Sequence, residues 1–215
     1  MKIEDLVKID SKKMYQTYDK WPEIAKDGFD NDFEKFDAKG IDHIVFSGMG
    51  GSGSIGDVIS AILSKEDIHV SNVKGYHLPK TVDSNSLVIS TSVSGNTKET
   101  LTVLEKAQKT DAKIAIFSSG GIIQEFSKTN NLFFQEISMM HSPRASFPKF
   151  LFSILNILRE IIPIKKTSVE EAISSLEITR NNIFSNNLTE DNISLKLAEW
   201  IKDIPLIYYP WGLQS

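Results

Sequence analysis

Residues 87–100 read LVISTSVSGNTKET. Leu87, Val88 and Ile89 form an apolar run of strand length and residues 97–108 carry a helical pattern, so the Ser-rich turn lies where a strand feeds a helix N-terminus. Such a terminus presents unpaired backbone N–H groups and the positive end of the helix dipole. Ser92, Ser94 and Thr97 add three hydroxyl donors, and Gly95 lets the backbone approach a ligand closely. The turn carries no positive charge. The implied ligand is an anion held by neutral donors, the phosphate of a small metabolite rather than a polyanion that needs many Lys and Arg.

Upstream, residues 43–47 form a short apolar strand followed at once by GMGGSGSIGD at 48–57. Ile55, Val58, Ile59, Ile62 and Leu63 then recur at the spacing of one helical face. The unit repeats with different turn chemistry, which predicts further strands at 68–73, 87–91, 114–118 and 132–137. The 97–108 helix turns Leu101, Leu104 and Ala107 inward, and a helix after the fourth strand does the same with Ile122, Ile123 and Phe126. Strands alternating with helices give a parallel sheet covered on both faces, because each crossover returns over the sheet in a right-handed sense. Residues 75–86 contain Pro79 and no helical period, which predicts an irregular connection.

Residues 1–40 are charged and aromatic, with Trp21, Phe29, Phe33 and Phe36 as the contacts by which short amphipathic helices pack onto a larger body. Beyond the fifth strand, residues 150–162 are apolar almost all the way round, so that helix is either central or at an interface; a dimer or domain interface is the favoured expectation. After Pro163, Thr167 with Glu170 or Ser168 with Glu171 offers a capping box for the next helix. A polar stretch at 181–192 precedes a last helix at 194–202, and residues 205–209 open a new apolar strand. The expected organisation is a helical arm over 1–40, an α/β domain over 41–164, a helical connector over 165–203, and the start of a truncated second domain over 204–215.

The 215 residues suffice for one domain of about 100–200 residues plus extra elements. A net charge of −4 gives nucleic acid no general reason to bind. The absence of cysteine removes disulfides, thiolate metal sites and Cys nucleophiles, and fits a reducing compartment. The N-terminus lacks the apolar core of a signal peptide, and no stretch reaches the roughly 18 apolar residues of a membrane helix. These readings predict a cytoplasmic protein that engages neither nucleic acid nor membrane. Lys12-Lys13 and Lys165-Lys166 read as solvated charge, and His43, His69, His77 and His141 are too scattered to suggest a metal site.

Gly48, Gly50 and Gly53 satisfy the G-x-G-x-x-G fingerprint between a strand and a helix. A dinucleotide site wants an acidic residue about 20 residues further on, at the end of the second strand. That end reads Asn72, Val73, Lys74, so the motif speaks weakly for NAD. A purely structural turn is the other reading, although Ser52 adds a donor that such a turn does not require.

GMGGSG, STSVSGNTKET and the dipeptide Pro143-Arg144 together resemble the sugar isomerase (SIS) family, and within it the bifunctional phosphoglucose/phosphomannose isomerases. The resemblance spans residues from about 41 to 164 plus the late strand. It implies a three-layer αβα SIS domain with a five-stranded parallel sheet, helical N- and C-terminal extensions, and isomerisation of glucose 6-phosphate or mannose 6-phosphate to fructose 6-phosphate without cofactor or metal. By the same resemblance Ser92, Ser94 and Thr97 bind the phosphate, Gly51 and Ser52 line the sugar, and Arg144 faces the charge that develops on an enediolate. The family's Glu base and ring-opening His lie in a second SIS domain, which implies a homodimer or a complex with such a domain. Glu136 and His141 are the local candidates to substitute for them, His141 reading first as a surface or packing residue. A non-catalytic sugar-phosphate-binding SIS module is the alternative.

Overall fold

A computed structural model of the protein describes residues 2–36 and 38–205. Its centre is a parallel sheet of β1 (His43–Ser47), β2 (His69–Val73), β3 (Ser86–Ser92), β4 (Lys113–Ser118) and β5 (Phe133–Glu136) in the order β2-β1-β3-β4-β5. β1 and β3 are buried at every position, as strands covered on both faces must be, whereas the edge strand β2 is only partly buried. Residues 75–85 are irregular, as Pro79 and the missing helical period predict, and Ser86 already belongs to β3.

The sheet parts two cores. On one face α4 (Gly51–Ile62) lays Ile55 and Ile59, followed by Leu63, over Ile44, Phe46, Leu87 and Ile89. On the other, α5 (Lys98–Ala107) and α6 (Gly121–Thr129) cover Val45, Val88, Ile114 and Ile116 with Val103, Leu104, Ala107 and Ile123. The expected inward stripes are too wide. Val58 and Ile62 are 37% and 36% exposed and Ile122 is 58% exposed, because a helix on a flat sheet buries only the positions nearest the contact line.

The apolar helix after β5 is α7 (Phe147–Ile157), which begins three residues early because Pro148 is preorganised for a first turn. Every residue from Pro148 to Ile157 is buried. The expected dimer or domain interface at this helix is therefore corrected: α7 is central. Beneath it lie α4 and the sheet, and above it α3 (Trp21–Asp30) and α8 (Lys166–Ile183). The N-terminal arm, α1 (Ile3–Ile9), α2 (Met14–Asp19) and α3, contributes Phe29, Phe33 and Phe36 to that core. Lys149 pairs with Asp27 and Lys35 donates to Asn156 Oδ1 at 2.6 Å, so the outward polar groups of α7 are met by the arm.

Neither proposed capping box starts α8. Its N-cap is Lys165, which makes no side-chain capping bond, and Thr167 and Ser168 fall inside the first turn. α8 runs on to Ile183, into the stretch expected to be a polar separator. α9 (Ile193–Trp200) follows, capped by Asn192, whose side chain accepts from the backbone of Ser194 and Leu195. The strand expected at 205–209 lies outside the described residues from position 206 onward.

Phe150 is fully buried among these layers. Phe150→Ala is expected to cost about 3–5 kcal/mol in urea unfolding, whereas Ile122→Ala should stay within about 0.5 kcal/mol. A second prediction concerns His43, which packs 4.6 Å from the His69 ring and shares a 2.9 Å hydrogen bond with Ser71. Burial, reinforced by His69 and opposed by a hydrogen bond with the Thr81 backbone and by Asp83 and Asp42, holds its imidazole below the ordinary 6.5. As pH falls below 6.5 the unfolded chain takes up a proton that the folded His43 refuses. The stability it confers is thus whole above 6.5 and is lost on acidification toward the folded value. A His43→Gln variant should show a flatter dependence of unfolding free energy on pH between about 7 and 5.

Candidate functional site

Strand order reverses at β1. The chain leaves β1 for β2 on one side and returns to β3 on the other, so the connections beyond β1 and β3 diverge and open a crevice at the C-terminal ends of the strands. Ser47 and Ser90 are register partners there. The Gly-rich loop 48–50 and the Ser-rich loop 93–97 stand on either side, each running straight into a helix.

The Ser-rich loop is rigid by construction. Gly95 has φ +68°, and a Cβ on it would lie 1.7 Å from the carbonyl oxygen of Gly120, so no other residue fits without moving the backbone. Gly95 O accepts from Ile123 N at 3.0 Å, Asn96 Oδ1 from Ile122 N at 3.2 Å, and Val93 O from Ser119 Oγ at 2.5 Å. The β4–α6 turn, Ser-Ser-Gly-Gly at 118–121, is thus the brace of the loop. Sequence reasoning passed over it, although a glycine pair after a strand and before a helix is the same signal that marked the other two loops.

The three proposed phosphate donors divide into two kinds. Ser92 is 2% exposed; its Oγ shares a 2.9 Å hydrogen bond with Thr97 Oγ1 and accepts from Gly95 N at 3.1 Å, so it shapes the loop from within. Thr97, the N-cap of α5, is half-buried and makes no side-chain capping bond. The first turn of α5 therefore keeps N–H groups for a ligand. Ser94 is exposed, its Oγ accepting from Asn96 N at 3.3 Å, which leaves its O–H free to donate outward.

Across the crevice, Gly51 is exposed and Ser52 half-buried in the first turn of α4, which has no side-chain cap. The Ser52 hydroxyl makes no hydrogen bond to the described residues, while its N–H donates to Met49 O at 3.1 Å. A Cβ at Gly53 would lie 2.9 Å from Gly48 O and 3.2 Å from Lys74 Cγ; the third glycine of the fingerprint is required where α4 meets the ends of β1 and β2. Lys74 pairs with Asp57 at 2.5 Å, and Asn72 Nδ2 donates to the same carboxylate at 3.1 Å. A dinucleotide site would place a carboxylate at the end of β2, where this chain has Asn72 and Lys74.

The remaining candidates lie at the end of β5 and in the segment between β5 and α7. Arg144 is exposed in the turn before α7 and has no hydrogen bond or ion pair from its side chain to the described residues. The turn itself is firm: Ser146 Oγ donates to Ser142 O at 2.7 Å, and Trp21 Nε1 donates to Ala145 O at 3.0 Å. Glu136 ends β5, exposed and in register with Ser118. His141 Nε2 donates to Lys12 O at 2.9 Å, the packing role its sequence context suggested. The structure brings together the two loops; it does not link Arg144, Glu136 or His141 to either by a hydrogen bond. Among the described residues, no cluster of three or more His, Asp or Glu is placed to hold a metal ion, and no helix is long and apolar enough to cross a membrane.

Residues 39–144 match the SIS domain family. The chain is 32% identical over 168 residues to the bifunctional phosphoglucose/phosphomannose isomerase of Thermoplasma acidophilum, an alignment that covers 77% of this chain and 49% of that protein. With the enzyme of the same name from Aquifex aeolicus it shares 36% identity over 160 residues, 70% of this chain and 50% of the relative. The chain thus spans about half the length of the curated relatives it matches. Among solved structures, the C-terminal domain of glucosamine-fructose-6-phosphate aminotransferase from Francisella tularensis superimposes with a TM-score of 0.55 at 18% identity, over 79% of this chain and 53% of that one, a likeness of fold alone. The parallel sheet, the two loops at its strand-order reversal and these matches agree: residues 39–144 are a SIS domain, in a chain that resembles the bifunctional phosphoglucose/phosphomannose isomerases.

Proposed function

We propose that this chain supplies the phosphate-binding half of an aldose–ketose isomerase that interconverts glucose 6-phosphate or mannose 6-phosphate with fructose 6-phosphate. The observation that carries the reading is the rigid loop 93–97. It offers the Ser94 hydroxyl and the uncapped N–H groups of α5 to an anion, with no cation of its own, at the strand-order reversal where open parallel sheets bind ligands. The likeness to enzymes named phosphoglucose/phosphomannose isomerase supports a hexose phosphate as that anion.

Held by its phosphate in this loop, the open-chain sugar would extend across the crevice toward Gly51 and Ser52. Isomerisation moves a proton between C2 and C1 through an enediolate, whose negative charge a fixed guanidinium stabilises in a water-poor site. Arg144, exposed and with no carboxylate paired to it among the described residues, would take that task once a second SIS domain covers it and excludes water. The base that takes the C2 proton and the group that opens the ring come, in this reading, from a second SIS domain, on the same or another polypeptide. The exposure of Glu136 and the engagement of His141 by the N-terminal arm give neither the buried, poised setting of a general acid or base.

Ser94→Ala is expected to weaken fructose 6-phosphate binding, measured by calorimetry, by about 1.5–3 kcal/mol, the worth of a hydrogen bond to a charged group. Unchanged affinity would refute the phosphate assignment. In an enzyme complete with its second domain, Arg144→Ala should lower kcat by about 10²–10³-fold with little change in KM, because its partner charge exists only in the transition state. Equal losses in both would make Arg144 a ground-state ligand.

A further inference from the structure

Beneath the phosphate loop lies a group of hydroxyls that the proposed chemistry does not use. Ser47 and Ser90, register partners on β1 and β3, are 2% and 1% exposed. Side chains alternate along a strand, so both share the sheet face of Val45 and Val88, which α5 covers. Thr100, 1% exposed, leads the buried stripe of α5 that continues through Val103, Leu104 and Ala107. α5 starts at the C-terminal end of β3 and returns over the sheet, so Thr100 is the member of that stripe nearest the strand ends.

The hydroxyls of Ser47, Ser90 and Thr100 have no hydrogen-bond partner, and they are three of the five buried side-chain polar atoms in that condition among the described residues. Buried polar groups are paired as a rule because an unpaired one forfeits its bonds to water. All three belong to the layer between α5 and the sheet, otherwise filled by Val, Leu, Ile and Ala, and so call for a shared partner. A single buried water typically makes about three hydrogen bonds and suits neutral hydroxyls that both donate and accept. Ser92, two residues beyond Ser90 on the same face, bonds Thr97 and so continues the column of hydroxyls up to the loop.

We propose that Ser47, Ser90 and Thr100 hold one ordered water molecule under the loop, which ties the first turn of α5 to the ends of β1 and β3 and so positions the anion-binding groups above. The three are positioning residues; for the effect on ligand binding the inference rests on the phosphate reading of loop 93–97.

Two variants at Thr100 separate hydrogen bonding from packing. Thr100→Val keeps the volume and loses the hydroxyl; Thr100→Ser keeps the hydroxyl and loses the methyl. Thr100→Val should lower the Tm of the ligand-free chain by about 2–4 °C and weaken fructose 6-phosphate binding roughly three- to tenfold. Thr100→Ser should bind within about twofold of the parent. A Thr100→Val protein as stable as the parent, or more so, would mean that the hydroxyl has no partner and would overturn the inference. So would unchanged affinity in Thr100→Val, or weakened binding in Thr100→Ser alone, the mark of packing. If Thr100→Val does not fold, Ser47→Ala decides: a lower Tm with weaker binding supports the shared water, and an equal or higher Tm overturns it. Ser94→Ala, run in parallel, tells the two readings apart. Unchanged affinity there would remove the phosphate assignment, while the Tm order of the ligand-free variants still tests the water.

Discussion

The backbone of Gly95 lies against the carbonyl of Gly120 so closely that a single methyl group would fall 1.7 Å from the oxygen. Much of the site depends on that contact. It locks the β3–α5 loop to the β4–α6 turn, lets Asn96 and Val93 be tied to the same turn, and leaves Ser92 and Thr97 to bond each other. The proposed anion site, made of neutral donors, works only if those donors are already aimed, because no long charged side chain can reach out to compensate for a misplaced loop. The close glycine contact supplies that aim at the level of the main chain.

The second constraint is the burial of α7. A helix that is apolar on all sides must be covered on all sides, and a sheet with one helix covers only part of it. The N-terminal arm and α8 complete the cover, with Asp27 and Asn31 meeting Lys149 and Asn156 from the arm. Trp21 then reaches the carbonyl of Ala145, so the arm that shields the core also holds the turn bearing Arg144. Segments outside residues 39–144 are therefore part of what shapes the face beyond the strand ends, not appendages to it.

Much of this was legible from residue order. The strands at 43–47 and 87–91 appear where their apolar runs lie, and the aromatic residues of the arm meet the core as their spacing suggests. Errors came where one helical period had more than one solution. Val58, Ile62 and Ile122 fit an inward stripe yet face out, since the width of the stripe depends on what the helix is laid upon. Thr167 and Ser168 have the spacing of a capping box, but α8, which packs against α3, starts at Lys166, ahead of both. The same ambiguity allowed α7 to be read as an interface helix.

By itself the sequence determined the class of fold and the chemical nature of its two principal loops, because apolar period, glycine and hydroxyl content act through neighbours a few residues apart. Only the tertiary structure decided which loops face each other, that Ser92 looks inward and Ser94 outward, that Ser-Ser-Gly-Gly at 118–121 is the brace, and that the hydroxyls of Ser47, Ser90 and Thr100 are buried without a partner among the described residues. Those outcomes depend on the order in which strands pair and on the face each residue is given once they do. Pairing joins residues such as Ser47 and Ser90, 43 positions apart in the chain, through contacts that no local pattern encodes.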